Sequence, residues 1–183
     1  SAYFMSLSYK STTIKNISFS KLIFKDLNYY LSLMVVDLLL QDIKYADLTN
    51  IKIKEAKGRF EIVNDSPVKI IDGAHNYEGV EILLRNYENK YGHLNTDIFL
   101  GFKKGKDINN ILNLIIGKTN YNLHLIEDDT FFDQEFTKEI GYLLDKYGKN
   151  YKIASLEQFK KNKNPSILLG SLYLIGEYKK REL

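Results

Sequence analysis

The segment Val68-Lys69-Ile70-Ile71-Asp72-Gly73-Ala74-His75-Asn76 runs from an apolar strand into an acid, a Gly-Ala turn and the start of a helical pattern near Tyr77. A strand that stops at an Asp and turns directly into a helix is where open α/β sheets bind ligands. The last strand residue, the loop and the first helical amides share one crevice there. Asp72 is placed to accept hydrogen bonds from a ribose or other hydroxyls. His75 and Asn76 stand where a helix N-terminus favours an anion. Asp-Gly is also a common turn, and Asn76 is a good N-cap, so the same residues have a local structural reading.

Working outward, strands at about 59–64 and 67–72 precede a helix at about 77–90. Further strand–helix pairs follow at about 96–101 and 107–116, 122–127 and 133–147, 151–154 and 156–161, and 166–170 and 172–181. Such alternation predicts an α/β fold, a mostly parallel Rossmann-like sheet with helices on both faces. Residues 1–24 differ. Tyr3-Phe4-Met5-Ser6-Leu7 and Ile17-Ser18-Phe19-Ser20 alternate like strands. Asp26 or Asn28 then caps a helix to about Asp42, and 46–53 forms a short second helix. The change of pattern predicts a boundary near Lys57-Gly58, which sets 1–56 apart from an α/β domain over 57–183.

The bulk properties exclude several classes. At 183 residues the chain is one domain, or one domain plus a fragment, and a hydrophobic content of 44% is enough for a real core. With no Cys it has no disulfide framework and no thiolate chemistry. The most apolar run, Leu31 to Leu40, is short and interrupted by Asp37, which fits a buried helix rather than a membrane span. No signal-peptide pattern opens the chain, so a cytoplasmic location is expected. A net charge of +3 with dispersed lysines does not point to nucleic acid.

Other motifs carry less. Gly101-Phe102-Lys103-Lys104-Gly105-Lys106-Asp107 looks like a phosphate loop, but three residues separate its glycines where a Walker A loop needs four. Asp107 also stands in place of the magnesium-binding Ser or Thr. It remains a basic strand-to-helix turn suited to a carboxylate or phosphate, or simply a solvated loop. Gly58-Arg59 opens a strand, and a lone Arg there reads most simply as a surface ion-pair partner. Ser171 follows Gly170 at the end of the last strand and is a natural N-cap. His93 and His124 have no metal-ligand spacing. Asp128, Asp129 and Asp133 are explained by capping the next helix. No metal site is predicted.

Taken in order, Gly58-Arg59-Phe60-Glu61, Ile71-Asp72-Gly73-Ala74-His75-Asn76, Lys106-Asp107 and Gly170-Ser171-Leu172-Tyr173 resemble the carboxy-terminal domain of folylpolyglutamate synthase/dihydrofolate synthase, in the Mur ligase superfamily. The resemblance covers about 57–183. It makes 1–56 the tail and linker of the family's central ATPase domain. Where the family often has Pro before Gly-Arg, this chain has Lys57. The family's His-Gln pair before an Asn-Ala helix is replaced by Phe24-Lys25 ahead of Asn28-Tyr29.

The resemblance implies an ATP- and Mg2+-dependent ligase. Such an enzyme activates a carboxylate of dihydropteroate or a folate as an acyl phosphate, which the amine of L-glutamate attacks. Activation supplies a leaving group that a carboxylate lacks, and the enzyme must hold the amine close and neutralise developing charge. By resemblance Arg59 reaches the ATP phosphates, Asp72 the ribose, and His75 the phosphates or incoming glutamate. Lys106 and Ser171 are candidates for the glutamate carboxylates. The family's phosphate loop ending in Gly-Lys-Ser or Gly-Lys-Thr is not in this sequence. Its magnesium ligands and modified lysine also belong to other segments. The expectation is therefore a monomeric ligase fragment that does not turn over alone. Two alternatives stay open: a peptidoglycan-precursor amino-acid ligase, and a non-catalytic nucleotide- or amino-acid-binding module.

Overall fold

The computed structural model describes residues 4–9, 12–18, 56–118, 120–127 and 134–181. The chain forms two compact units, Ser1–Lys54 and Glu55–Leu183. In the first, strands β1 (Phe4–Tyr9) and β2 (Thr12–Ser18) pair antiparallel, from Phe4 opposite Ser18 to Tyr9 opposite Thr12. The helices expected to Asp42 and over 46–53 lie outside the described residues.

The second unit is a six-stranded sheet. Its elements in chain order are β3 (Glu61–Asp65), β4 (Val68–Asp72), α1 (Tyr77–Tyr91), β5 (Thr96–Leu100), α2 (Ile108–Ile116), β6 (Tyr121–Ile126), α3 (Gln134–Lys146), β7 (Tyr151–Ala154), α4 (Leu156–Lys161), β8 (Ser166–Leu169) and α5 (Leu172–Lys180). The spatial order is β3-β4-β8-β5-β6-β7, parallel except for the β3–β4 hairpin. The expected α/β class and the strand–helix succession hold, with ends moved by a residue or two.

Alternation along each strand decides which layer a side chain joins. Ile70, Ile98, Leu100, Leu123, Leu125, Ile167 and Leu169 face one side. There they meet Leu84 and Tyr87 of α1, Ile111 and Leu112 of α2, and Ile140 and Leu144 of α3. Ile71, Phe99, Ile126 and Leu168 face the other, against Leu156 and Phe159 of α4 and Leu174, Ile175 and Tyr178 of α5. Strands β4, β5 and β8 are buried along their whole length. This is why they read as continuous apolar runs rather than alternating ones.

One consequence places the site. Strand β8 lies between β4 and β5, but it leads into α5 on the second face, whereas its neighbours lead into α1 and α2 on the first. Adjacent strands whose chains leave in opposite directions open a crevice at their carboxyl ends.

One expectation about this unit changes. Arg59 does not open a strand: β3 begins at Glu61. Gly58 and Phe60 take positive φ of 70° and 46°, and the Phe60 amide goes to the Asp72 carboxylate instead of to a ladder. His124 is half-buried, stacked on Phe99 with centroids 4.4 Å apart, while His93 is exposed. The Asp128, Asp129 and Asp133 cluster lies outside the described residues.

Candidate functional site

Asp72 is the last residue of β4 and is only 8% exposed. Its Oδ1 accepts from the Ala74 amide at 2.7 Å, and its Oδ2 accepts from the Phe60 amide at 2.7 Å. The Gly73 amide donates to the Gly58 carbonyl at 2.8 Å. The β4–α1 turn and the turn carrying Arg59 are therefore bolted together, with Asp72 as the bolt. Burial pushes the Asp72 carboxyl above its usual value; the Phe60 and Ala74 amides and the Arg59 charge oppose this without cancelling it. A carboxylate offers about four acceptor positions, so two remain beyond the amides already bound.

Arg59 is exposed, and its guanidinium has no hydrogen-bond partner among the described residues. It acts on Asp72 as a nearby positive charge. This differs from the surface ion pair that its position suggested.

His75 is partly buried, with Nδ1 2.8 Å from the Gly73 carbonyl oxygen. A carbonyl only accepts, so Nδ1 carries the hydrogen of this bond. Asn76 is exposed and caps α1, its Oδ1 accepting from the Gly79 amide at 3.1 Å. The local reading of Asn76 is thus realised.

Ser171 is buried and caps α5, its Oγ accepting from the Tyr173 amide at 3.2 Å. The hydroxyl hydrogen is not used by that bond. The next residue, Leu172, covers Gly73: a Cβ on Gly73 would run into the Leu172 side chain. Ser171 is brought beside the Asp72 turn by this contact. Gly170, at φ 121°, lies so close to Gly101 that a Cβ there would collide with the Gly101 carbonyl. The ends of β8 and β5 therefore meet without side chains between them.

Lys106 lies in the loop between β5 and α2, at the same carboxyl end of the sheet. Its side chain is exposed, and its carbonyl accepts from the Ile108 amide at 2.9 Å. Asp107 caps α2. The link from this loop to α5 is made by Lys103, whose Nζ stands 3.5 Å over the exposed Tyr173 ring. Arg59, Asp72, His75 and Ser171 are thus joined through direct contacts of their turns. Lys106 shares only the edge of the sheet with them.

Sequence reasoning left two participants without roles. Glu61 stands in the motif with Arg59 but carried no assignment, and Lys179 was not considered. Lys179 donates to both Glu61 oxygens at 2.6 and 2.7 Å. A partner 118 residues away leaves no local signal in the chain.

No family model and no curated protein matches this sequence. Solved structures do. Escherichia coli FolC in complex with ADP, without folate substrate, aligns with a TM-score of 0.70 at 19% identity, over 97% of this chain and 43% of that one. The folylpolyglutamate synthase of Thermotoga maritima aligns at 0.67 and 19%, over 92% and 41%. The UDP-N-acetylmuramate-alanine ligase MurC of Thermotoga maritima aligns at 0.61 and 14%, over 94% and 41%. The chain shares the α/β fold of the matching part of these ligases. This chain spans less than half the length of each of these three proteins. Among the described residues, no helix is long and apolar enough to cross a membrane.

Proposed function

We propose that this chain is part of an ATP-dependent ligase that joins L-glutamate to dihydropteroate or folates through an acyl phosphate. In this reading 1–56 is the tail of a central ATPase domain. The α/β unit contributes nucleotide and glutamate contacts but does not turn over without the rest of the protein. The observation that carries the proposal is the bolted pair of turns at the end of β4, which presents an exposed Arg beside a buried carboxylate at the mouth of the crevice. Support comes from the likeness to the folylpolyglutamate synthase of Thermotoga maritima and to FolC, which holds ADP.

The residues fit a nucleotide. Asp72 retains acceptor capacity for vicinal hydroxyls, and Arg59 is a cation with no competing hydrogen bond among the described residues. His75 stands beside the first turn of α1, where the phosphates or the incoming glutamate would be received. Lys106 and the Ser171 hydroxyl would take the carboxylates of glutamate. ATP supplies the phosphoryl group that makes a carboxylate an acyl donor, and Mg2+ would offset the charge that gathers there. No residue of this chain is assigned as its ligand.

The test is ATP-dependent addition of glutamate to dihydropteroate by the full-length protein. Arg59→Ala and Asp72→Ala are each expected to lower kcat/KM by about 10- to 100-fold, the worth of one or two charge-assisted hydrogen bonds. An active wild type with unaffected variants would remove both residues from the site. The second reading, a peptidoglycan-precursor ligase, is favoured by the MurC likeness. Activity on muramoyl nucleotides with none on folates would decide for it.

A further inference from the structure

The turn that carries Arg59 is held in a conformation it would not keep by itself. Gly58 and Phe60, on either side of Arg59, both have left-handed backbone, at φ 70° and 46°. For Phe60, with its Cβ and large ring, such backbone is sparsely populated and persists only where its surroundings over-determine it. They do so here from three directions. The Gly58 amide donates to Glu61 Oε2 at 2.5 Å, the Phe60 amide donates to Asp72 Oδ2 at 2.7 Å, and the Gly58 carbonyl accepts from Gly73 at 2.8 Å.

Glu61 is in turn held by Lys179, in the last turn of α5. Burial pushes the Glu61 carboxyl up, but the hydrogen bonds from Lys179 and the Gly58 amide outweigh it and leave it below its usual value. Helix α5 therefore reaches the crevice twice. Its first residues, Ser171 and Leu172, stand beside the Asp72 turn, and its last turn grips the Arg59 turn through Glu61.

We propose that Glu61 and Lys179 are positioning residues for Arg59: their ion pair fixes the 58–60 turn so that the guanidinium is presented at the carboxyl end of β4. Neither need touch a ligand. The proposal rests on the nucleotide role of Arg59 argued above.

Two measurements test it. The first is made on the 183-residue chain by 15N NMR, reading the order of the Arg59 and Phe60 backbone amides. Both are expected to be ordered in the wild type, to loosen in Glu61→Ala, and to stay ordered in Lys179→Arg, which keeps the pair and serves as the folding control. The second is the ligase assay on the full-length protein. Glu61→Ala is expected to lower kcat/KM for ATP about tenfold, while in an Arg59→Ala background it changes nothing beyond about twofold. An equal cost in both backgrounds, or none in the wild type, overturns the positioning role. A turn that stays ordered in Glu61→Ala overturns the clasp whatever reaction the protein performs. If Arg59→Ala leaves the reaction untouched, the functional reading fails and the positioning role fails with it.

Discussion

At the scale of single residues, buried carboxylates in this unit do opposite things. Asp97 is 5% exposed and accepts from the side-chain amides of Asn122, Asn162 and Asn164 at 2.9 to 3.0 Å. Burial works against its charge, but the amides of Asn122, Asn164 and Asn162 and the nearby His124 outweigh it and hold the carboxyl below its usual value. His124 Nε2 stands 3.7 Å away, beyond hydrogen-bond distance. A depressed carboxyl stabilises the fold above its unfolded value, and that stability is lost as pH falls through its folded one. Asp97→Asn is therefore expected to cost about 1–3 kcal/mol near pH 7 and to flatten the loss of stability towards about pH 2. Denaturant melts at the two pH values check this; an unchanged pH slope would show that Asp97 does not carry it. Asp72 has the reverse sign. Its raised value means that ionising it costs stability as pH rises through the carboxylate range.

At the scale of elements, the contact between β8 and β5 decides where the crevice closes. Gly170 must be glycine on two counts, its φ of 121° and the Gly101 carbonyl that a Cβ would strike. Gly170→Ala is expected to destabilise the unit by about 2 kcal/mol or more, and thermal melting of the 183-residue chain reads this directly. A variant as stable as the wild type would mean that β8 and β5 part at their ends at little cost. Most elements were legible in the chain because their signals are local. The apolar runs at 68–72, 96–100 and 166–169 and the caps Asn76 and Ser171 mark strand ends and helix starts within a residue or two. The turn at 58–60 was not legible as a turn. Phe60 follows a strand-like pattern, and only the distant Asp72 carboxylate draws its amide away from a ladder.

At the scale of the molecule, the Glu55–Leu183 unit has buried layers of its own on both faces of its sheet. A protein restricted to these residues is expected to unfold in one cooperative transition, as small single domains do. Circular dichroism and fluorescence should give coincident melts; separate or broad transitions would show that this core depends on the first unit. Parallel strands and two helical layers followed from the alternation of patterns. The strand order did not, since β8 enters between β4 and β5 from the far end of the chain.

Asp72 and Arg59 show where the two sources of information divide. The chain alone determined that Asp72 ends a strand, that Gly73 and Ala74 turn and that Asn76 starts a helix, because each depends on neighbours within a few residues. Folding alone decided that Asp72 bolts down the Arg59 turn, that Leu172 sits on Gly73, and that Lys179 reaches Glu61. Those partners are separated by 12 to 118 residues. Only the burial of both sheet faces, which sets how β4, β8 and α5 stack, brings them within hydrogen-bonding and packing distance.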